Sequence, residues 1–458
     1  MIRPLDRRQL LGASLLLGGT ASLAATGPRP AGATSPRAAK RVARARDLGL
    51  VPDAPAVQTA ALQGAIDRLA GTGRTLILPP GRFLTGPLTM RPATRIAGTP
   101  GATVLILGGR GPLLRGDDTS DLSLSGLVLD GSAALPSNGA HPALVEIRRA
   151  HRVSFTRLRI TGSAANGLSL ERVAARISDC EIAACRRAGL FSLDAEGLEI
   201  AHNHVHDCAD NGILVWRSKA GEDGTRVTGN RIERIRAQSG GTGQNGNGVN
   251  LFRAASVLVT GNRISDCAFS AVRGNAASNL QIVANNGSRL GEVALYAEFG
   301  FEGAVISDNI IDTAAVGVSV TNFDSGGRLA VVQGNLIRRL VPYKGEGEAR
   351  GTGIAVEADT AVTGNVVEDA AAVGIQIGWG RFRREVVATG NLIRKADIGI
   401  GISRDAAGGA VLVANNMISG TRRGAIRAMD HHVPTGPDLA RTGANGLANI
   451  TVGGNLAV

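Results

Sequence analysis

From about residue 176 onward one phrase recurs: alternating apolar residues, a small residue, Asn, one variable residue, then Ile or Val. Clear copies are Val227-Thr228-Gly229-Asn230-Arg231-Ile232, Val259-Thr260-Gly261-Asn262-Arg263-Ile264 and Thr389-Gly390-Asn391-Leu392-Ile393. The repeat puts Asn203, Asn230, Asn262, Asn286, Asn309, Asn335, Asn365, Asn391 and Asn416 in one slot, with a final copy at Asn455. After each Asn a second phrase follows a turn: Gly, Ile or Val, any residue, Val or Ile, as in Gly212-Ile213-Leu214-Val215 and Gly353-Ile354-Ala355-Val356. Two short strands per period, each alternating with period two, fit one coil of a solenoid.

A single coil cannot bury its own apolar face, so such a chain must stack its coils about 4.8 Å apart and pair every strand with those above and below. Equivalent residues then stand in columns. An Asn in each coil is expected to form an amide ladder at an inward corner, because its side chain satisfies buried polar groups and the residue tolerates a sharp bend. The expected fold is all-β, a right-handed parallel β-helix. Glycine is frequent (63 residues) and aromatics make up only 3%, which also disfavours a helical bundle.

The chain begins with Asp6-Arg7-Arg8-Gln9-Leu10-Leu11 and an apolar, Gly-rich stretch to about Ala25. This layout resembles a twin-arginine export signal and is too short and Gly-rich for a membrane span. Residues 1–46 hold nine Lys or Arg against one acid, so they account for most of the formal charge of +12 and leave +4 for the remainder. Nucleic acid is therefore a poor partner for the body of the protein. We expect an export signal and basic linker over 1–46 and one β-helix domain over 47–458, with a cap and first coils over 47–175 and ladder repeats over 176–458. The mature chain should be periplasmic or secreted.

A helical spacing over Val57–Leu69 leads into Thr75-Leu76-Ile77-Leu78-Pro79-Pro80-Gly81, and Leu122-Ser123-Leu124-Ser125-Gly126-Leu127 follows downstream. These segments look like the N-terminal capping helix and first coils of pectin-lyase-like β-helix proteins. Together with the arginine pair and the Asn-centred repeats, they make the chain similar to the twin-arginine-translocated uncharacterised repeat protein family. That resemblance implies passage through the twin-arginine export machinery and no particular activity.

Pectin-lyase-like folds often act on polysaccharides along one sheet face, as lyases, hydrolases or epimerases; this is an analogy of fold alone. The Asn-Thr-Asp and Gly-His-Gly elements of polygalacturonase-type hydrolysis are missing from the sequence. Alternation on the second phrase puts Leu214 and Trp216, Asn250 and Phe252, Arg273 and Asn275, Tyr296 and Glu298, Ser319 and Thr321, and Ala355 and Glu357 on the outer face. Elimination or epimerisation at a uronate needs a cation for the carboxylate, a base for the α-proton and an acid for the leaving oxygen. Arg273 is the candidate cation, and Tyr296 and Glu298 are candidates for the other two roles. Trp216 and Phe252 offer flat faces to sugar rings, with Asn250 and Asn275 beside them as substrate-binding candidates. Insertions at 236–247 and 342–352 leave equivalent turns and are expected to wall a groove.

His204 and His206 flank the inward Val205, but equivalent positions hold Arg231, Arg263 and Ser265, so they read as exterior residues rather than a metal site. His431 and His432 fall in a loop near the end. Cys180 occupies a ladder slot, while Cys185, Cys208 and Cys267 share another register; buried thiols fit them better than a metal site, and a Cys185–Cys208 disulfide between coils stays open. No cofactor motif is present. The readings that remain are a polysaccharide lyase or epimerase, a non-enzymatic glycan-binding protein, and a structural repeat protein of the cell envelope.

Overall fold

The computed structural model describes residues 41–132, 134, 139–241, 243–342 and 351–458. The arginine pair and apolar stretch lie outside the described residues. Within them the chain winds into a parallel β-helix of about 13 turns. A representative turn consists of Arg226–Thr228, Arg231–Ile235 and Val249–Ala255. Each strand pairs in parallel with its counterpart one turn later: Arg226 with Leu258, Arg231 with Arg263, and Val249 with Val272. The strands alternate as expected, with Val227 and Ile232 fully buried and Arg226 and Arg231 outside.

Each turn thus contributes three strands, to a first, second and third sheet, rather than the two expected. The middle strand is hidden inside the Asn phrase. It begins directly after the ladder Asn and is either three to five residues long or, as in Val366–Ile377 and Leu392–Ser403, continuous with the third strand, so no separate turn signal announces it.

The bend between the first and second sheets explains the phrase itself. The residue before each ladder Asn is left-handed: φ is 64° at Gly229 and 63° at Gly364, and Asp308 and His202 adopt the same conformation where glycine is absent. The following Asn turns inward. The side-chain amide of Asn230 donates to Oδ1 of Asn262 at 2.9 Å and to the carbonyl of Ile200 at 2.9 Å, and the backbone N–H of Asn230 donates to the same Oδ1 at 2.9 Å. The ladder runs unbroken through Asn203, Asn230, Asn262, Asn285, Asn309, Asn335, Asn365, Asn391, Asn416 and Asn455, with side-chain links of 2.8–3.0 Å. Cys180 stands at its head, donating its backbone N–H to Asn203 at 2.9 Å.

Asn286, expected in the ladder, is not part of it. Asn285 fills the slot because it follows the left-handed Ala284 and lies three residues after the inward Ile282, the spacing of every other copy. Asn286 points outward, between Arg263 and Ile310.

Glycine at the start of the third-sheet phrase has a steric cause. A Cβ at Gly212 would collide with the carbonyl oxygen of Gly248 in the next turn and with the Ile232 side chain. The four cysteines are free and buried, and burial is the main cause raising Cys267 and also raises Cys185, whose first cause is the neighbouring Cys208 thiol.

At the N-terminal end, Val42–Arg44, within the stretch expected to be linker, pairs with Thr75–Ile77. The helix Thr59–Leu69 turns Leu62, Ala65, Ile66 and Leu69 into the core, and Gln63 bonds the backbone N–H and carbonyl of Thr89. At the other end Ile426–Asp430 and Val433–Asp438 form the antiparallel pair among the strands, and His431 and His432 sit at its tip.

Replacing Asn335 with Leu orphans Asn309 and the carbonyl of Ile306. It should therefore lower unfolding stability by about 3 kcal/mol, since a buried polar group left without its partner costs about 1–3 kcal/mol. Asn286→Ala should change it by less than about 0.5 kcal/mol. Urea denaturation of the two variants checks this, and equal losses would contradict the ladder assignment.

Candidate functional site

Outward positions of the third sheet stand in two columns. One runs through Leu214, Asn250, Arg273, Tyr296, Ser319, Ala355 and Gln376. The other runs through Trp216, Phe252, Asn275 and Glu298, and continues to Thr321 and Glu357, which follow the paired Val320 and Val356. The sequence-derived candidates do share this face. They divide into a closed half and an open half.

In the closed half, Arg273 donates from Nε to Glu298 Oε1 at 2.5 Å and from Nη2 to Oε2 at 3.0 Å, and Asn275 donates to Oε1 at 3.2 Å. Nη1 of Arg273 lies 3.7 Å from Glu292. The Arg273 side chain is 11% exposed and that of Glu298 2%. The insertion at 236–247 lies directly over the pair: a Cβ at Gly243, where φ is 140°, would overlap the Arg273 guanidinium. Asn250, expected to bind substrate, is buried and donates instead to the carbonyl of Gln244 in that insertion at 3.2 Å. The charges assigned to two separate steps of a uronate reaction are therefore bound to each other beneath a loop, and the carboxylate has no oxygen left unpaired. Upstream, Trp216 packs edge-on between Phe191 at 5.6 Å and Phe252 at 5.7 Å, and both Trp216 and Phe252 stay partly exposed.

The open half is a pocket of about 290 Å³. Strands supply Tyr296, Ser319, Ala355 and Gln376, and Thr321 and Glu357 stand directly after strand ends; a turn supplies Trp379, and the C-terminal hairpin region adds Arg423 and His432. Gln376 holds the turn by donating to the carbonyl of Gly378 at 2.9 Å, and Ser403 holds it through the carbonyl of Gly380 at 2.6 Å. Just beyond, the fully buried Arg383 binds the carbonyls of Ser403, Gly408, Gly409 and Ala448. Trp379 is 37% exposed, with the rings of His431 and His432 at 5.1 and 6.3 Å. The tip expected to be an ordinary surface loop thus reaches the wall of the pocket.

Glu357 is the ionisable group of this pocket with the strongest claim to chemistry. Burial pushes its carboxyl up to about 7, against the backbone N–H of Phe323, which donates to Oε2 at 2.7 Å. The charge of Asp324 adds to the rise. The backbone N–H of Asn322 also bonds the carboxyl, and with the group protonated to near neutral pH it can donate there. Tyr296 is pushed up to about 12 by burial and then by Glu298, and its hydroxyl bonds Thr321. It is therefore a hydrogen-bonding group rather than a base at neutral pH. Arg423 is held by Asp397, with Nε 2.6 Å from Oδ2.

Glu357 was legible as an outward residue but not as a site residue. Its environment depends on the turn at 321–327 and on a hairpin 75 residues downstream, neither of which any repeat spacing reveals. A larger depression of about 650 Å³ lies on the first sheet, lined largely by Val305, Leu329, Val331 and Val387. Its Asp359 is committed to Arg384 at 2.6 and 2.8 Å, so the smaller pocket is the better chemical site. His204 and His206 face Glu233 at 3.1 Å and Asp207 at 2.6 Å within a row of exterior ion pairs. Among the described residues no three His, Cys, Asp or Glu side chains are grouped to hold a metal.

Glu298→Gln should destabilise the protein by about 3 kcal/mol, because it leaves the Arg273 charge buried without its partner. Adding Arg273→Met should recover much of that loss; additive losses in the double mutant would show that the pair is not coupled. For Glu357 the folded protein keeps its proton to higher pH than the unfolded chain, whose carboxyl titrates near its ordinary 4.5. Its contribution to stability therefore falls as pH rises from about 4.5 to about 7 and is level above. The stability difference between wild type and Glu357→Gln, measured by urea titration across that range, should shift in this sense; a difference independent of pH would contradict the assignment.

A search of curated proteins finds no match. Several solved structures share the fold. A PL6 alginate lyase in complex with a trisaccharide aligns with a TM-score of 0.53 at 13% identity, over 93% of this chain and 96% of that one. The pre-mature gene product 12 of bacteriophage phi29 aligns at 0.50 and 15% identity over 84% of this chain, which spans only 55% of that protein. The N-terminal fragment of the same phage protein aligns at 0.50 and 14% identity, over 91% and 70% of the two chains. At these identities the likeness concerns the fold alone. Residues 101–232 and 219–393 match the family model described as the right handed beta helix region, and the chain belongs to that family.

Proposed function

We propose that this is an exported β-helix protein that binds a polysaccharide along the third sheet and processes it in the pocket around Glu357. The observation that carries this reading is one carboxyl, mostly buried and held by backbone N–H groups rather than by a cation, lining one concave site with an exposed indole. The carboxyl of Glu357 donates a proton to a departing glycosidic oxygen, a step that hydrolysis and elimination share. Trp379 provides an apolar face for a sugar ring, while Gln376, Ser319 and Thr321 offer partners for its hydroxyls. The partly exposed Trp216 and Phe252 extend the same outer face over the preceding turns and suit further sugar units.

Export rests on Arg7-Arg8 and the apolar stretch behind them. With the Asn-centred repeats, these residues support membership of the twin-arginine repeat family, with that export machinery as partner and the periplasm or exterior as destination. The uronate lyase or epimerase reading loses support because Arg273 is bound to Glu298. A second reading, glycan binding without chemistry, is favoured by the partly exposed aromatic row of Trp216 and Phe252.

Turnover of a polysaccharide panel by wild type and Glu357→Gln separates the two. The proposal predicts that the variant still binds but loses at least about 100-fold in rate, the typical contribution of general acid catalysis. Binding by both proteins without turnover by either would establish the non-enzymatic reading. No binding to any glycan would overturn both and leave an envelope structural role.

A further inference from the structure

We infer that the Glu357 pocket takes an uncharged sugar and excludes uronates. This rests on the reading of the pocket as a glycan site. A uronate carries one carboxylate per ring, and a partly enclosed site accepts that charge only if it supplies a cation to meet it.

Among the described residues, four guanidinium groups near the pocket are already bonded to protein partners. Arg273 is closed on Glu298 and lies beneath the 236–247 insertion. Arg423 is bound to Asp397. Arg384, whose guanidinium sits 4.4 Å over the Phe323 ring behind Glu357, is bidentate to Asp359. Arg427, further along the same column, is turned onto the carbonyls of Arg423 and Gly436. Glu357 lines the pocket, and the charge of Asp324 acts on it. A carboxylate entering here finds a protonated Glu357 that offers it no positive charge, and these four guanidinium groups already bonded to protein partners. A neutral pyranose meets what the walls do offer: an indole face at Trp379 and the hydroxyl and amide groups of Thr321, Ser319 and Gln376.

The substrate class also selects the reaction. β-Elimination needs a carboxylate on the substrate to acidify the neighbouring C–H, and an uncharged pyranose has none. The reaction left is hydrolysis. The anomeric C–O bond breaks with its electron pair on the leaving oxygen, that oxygen takes the proton from the Glu357 carboxyl, and a water oxygen bonds to the anomeric carbon. The proton that water releases restores Glu357.

The test is equilibrium binding of the full chain to two sets of oligosaccharides of equal length. One set is neutral (gluco-, manno- and xylo-oligosaccharides) and the other acidic (oligomers of alginate and polygalacturonate), each measured with wild type and Trp379→Ala. Trp379 is exposed, so its removal should leave the fold intact by circular dichroism. The inference predicts at least one neutral oligosaccharide bound about tenfold or more tightly than any acidic one, equivalent to about 1.4 kcal/mol, and that preference lost in Trp379→Ala. Tighter binding of an acidic oligosaccharide, itself lost in Trp379→Ala, overturns the neutral-substrate inference while leaving the pocket as the glycan site. Binding of neither set, or binding indifferent to Trp379→Ala, overturns the pocket reading and this inference with it.

Discussion

The whole architecture depends on satisfying the polar groups buried at one corner of a tightly stacked coil. Between the first and second sheets each turn must bend sharply inside the protein, where an unbonded N–H or carbonyl would be expensive. The Asn side chain resolves this with a single residue. Its oxygen accepts two N–H groups from the preceding turn, and its amide donates both to the next Asn and to a carbonyl one turn back. Each ladder residue is thus bonded in both directions, and the register of one turn fixes that of the next. The strict columns that follow are what allow side chains distant in sequence to be aligned on one face.

Those columns make the third sheet a linear surface, and charge pairing decides which part of it can act. Around Arg273 the pairing is strong: Glu298 takes two of its nitrogens, Glu292 stands 3.7 Å from the third, and a loop lies over them. Three turns beyond Arg273, pairing fails at Glu357, which faces backbone N–H groups instead of an arginine. Burial, with no cation to offset it, keeps its carboxyl protonated to near neutral pH. The same absence leaves a proton available and makes an acidic ligand unwelcome, so reaction and substrate class follow from one local feature.

The periodicity of Asn and Gly made the β-helix legible from the sequence, because both residues are demanded by backbone geometry: the left-handed bend before each ladder Asn, and the close approach of neighbouring turns at Gly212 and its counterparts. Even so, the short middle strand was concealed within the Asn phrase, and in Asn285-Asn286 two adjacent residues competed for one slot that only the inward Ile282 decides. Alternation also told correctly which side chains share the outer face. It could not tell which of them would be spent on one another. Arg273 and Glu298 looked like separate tools and are a closed pair; Asn250 looked like a ligand-binding residue and anchors an insertion. Trp379 and His432 belong to a turn and a hairpin that break the repeat, and their meeting is a long-range event that no local pattern encodes.

A crystal structure of the protein bound to the tightest neutral oligosaccharide of the panel tests the central claim most directly. The account predicts a sugar ring against Trp379, with a glycosidic oxygen within hydrogen-bond reach of the Glu357 carboxyl and the Arg273–Glu298 pair unbroken. A sugar seated instead in the first-sheet depression, or one that parts Arg273 from Glu298 to take up the guanidinium, would contradict it.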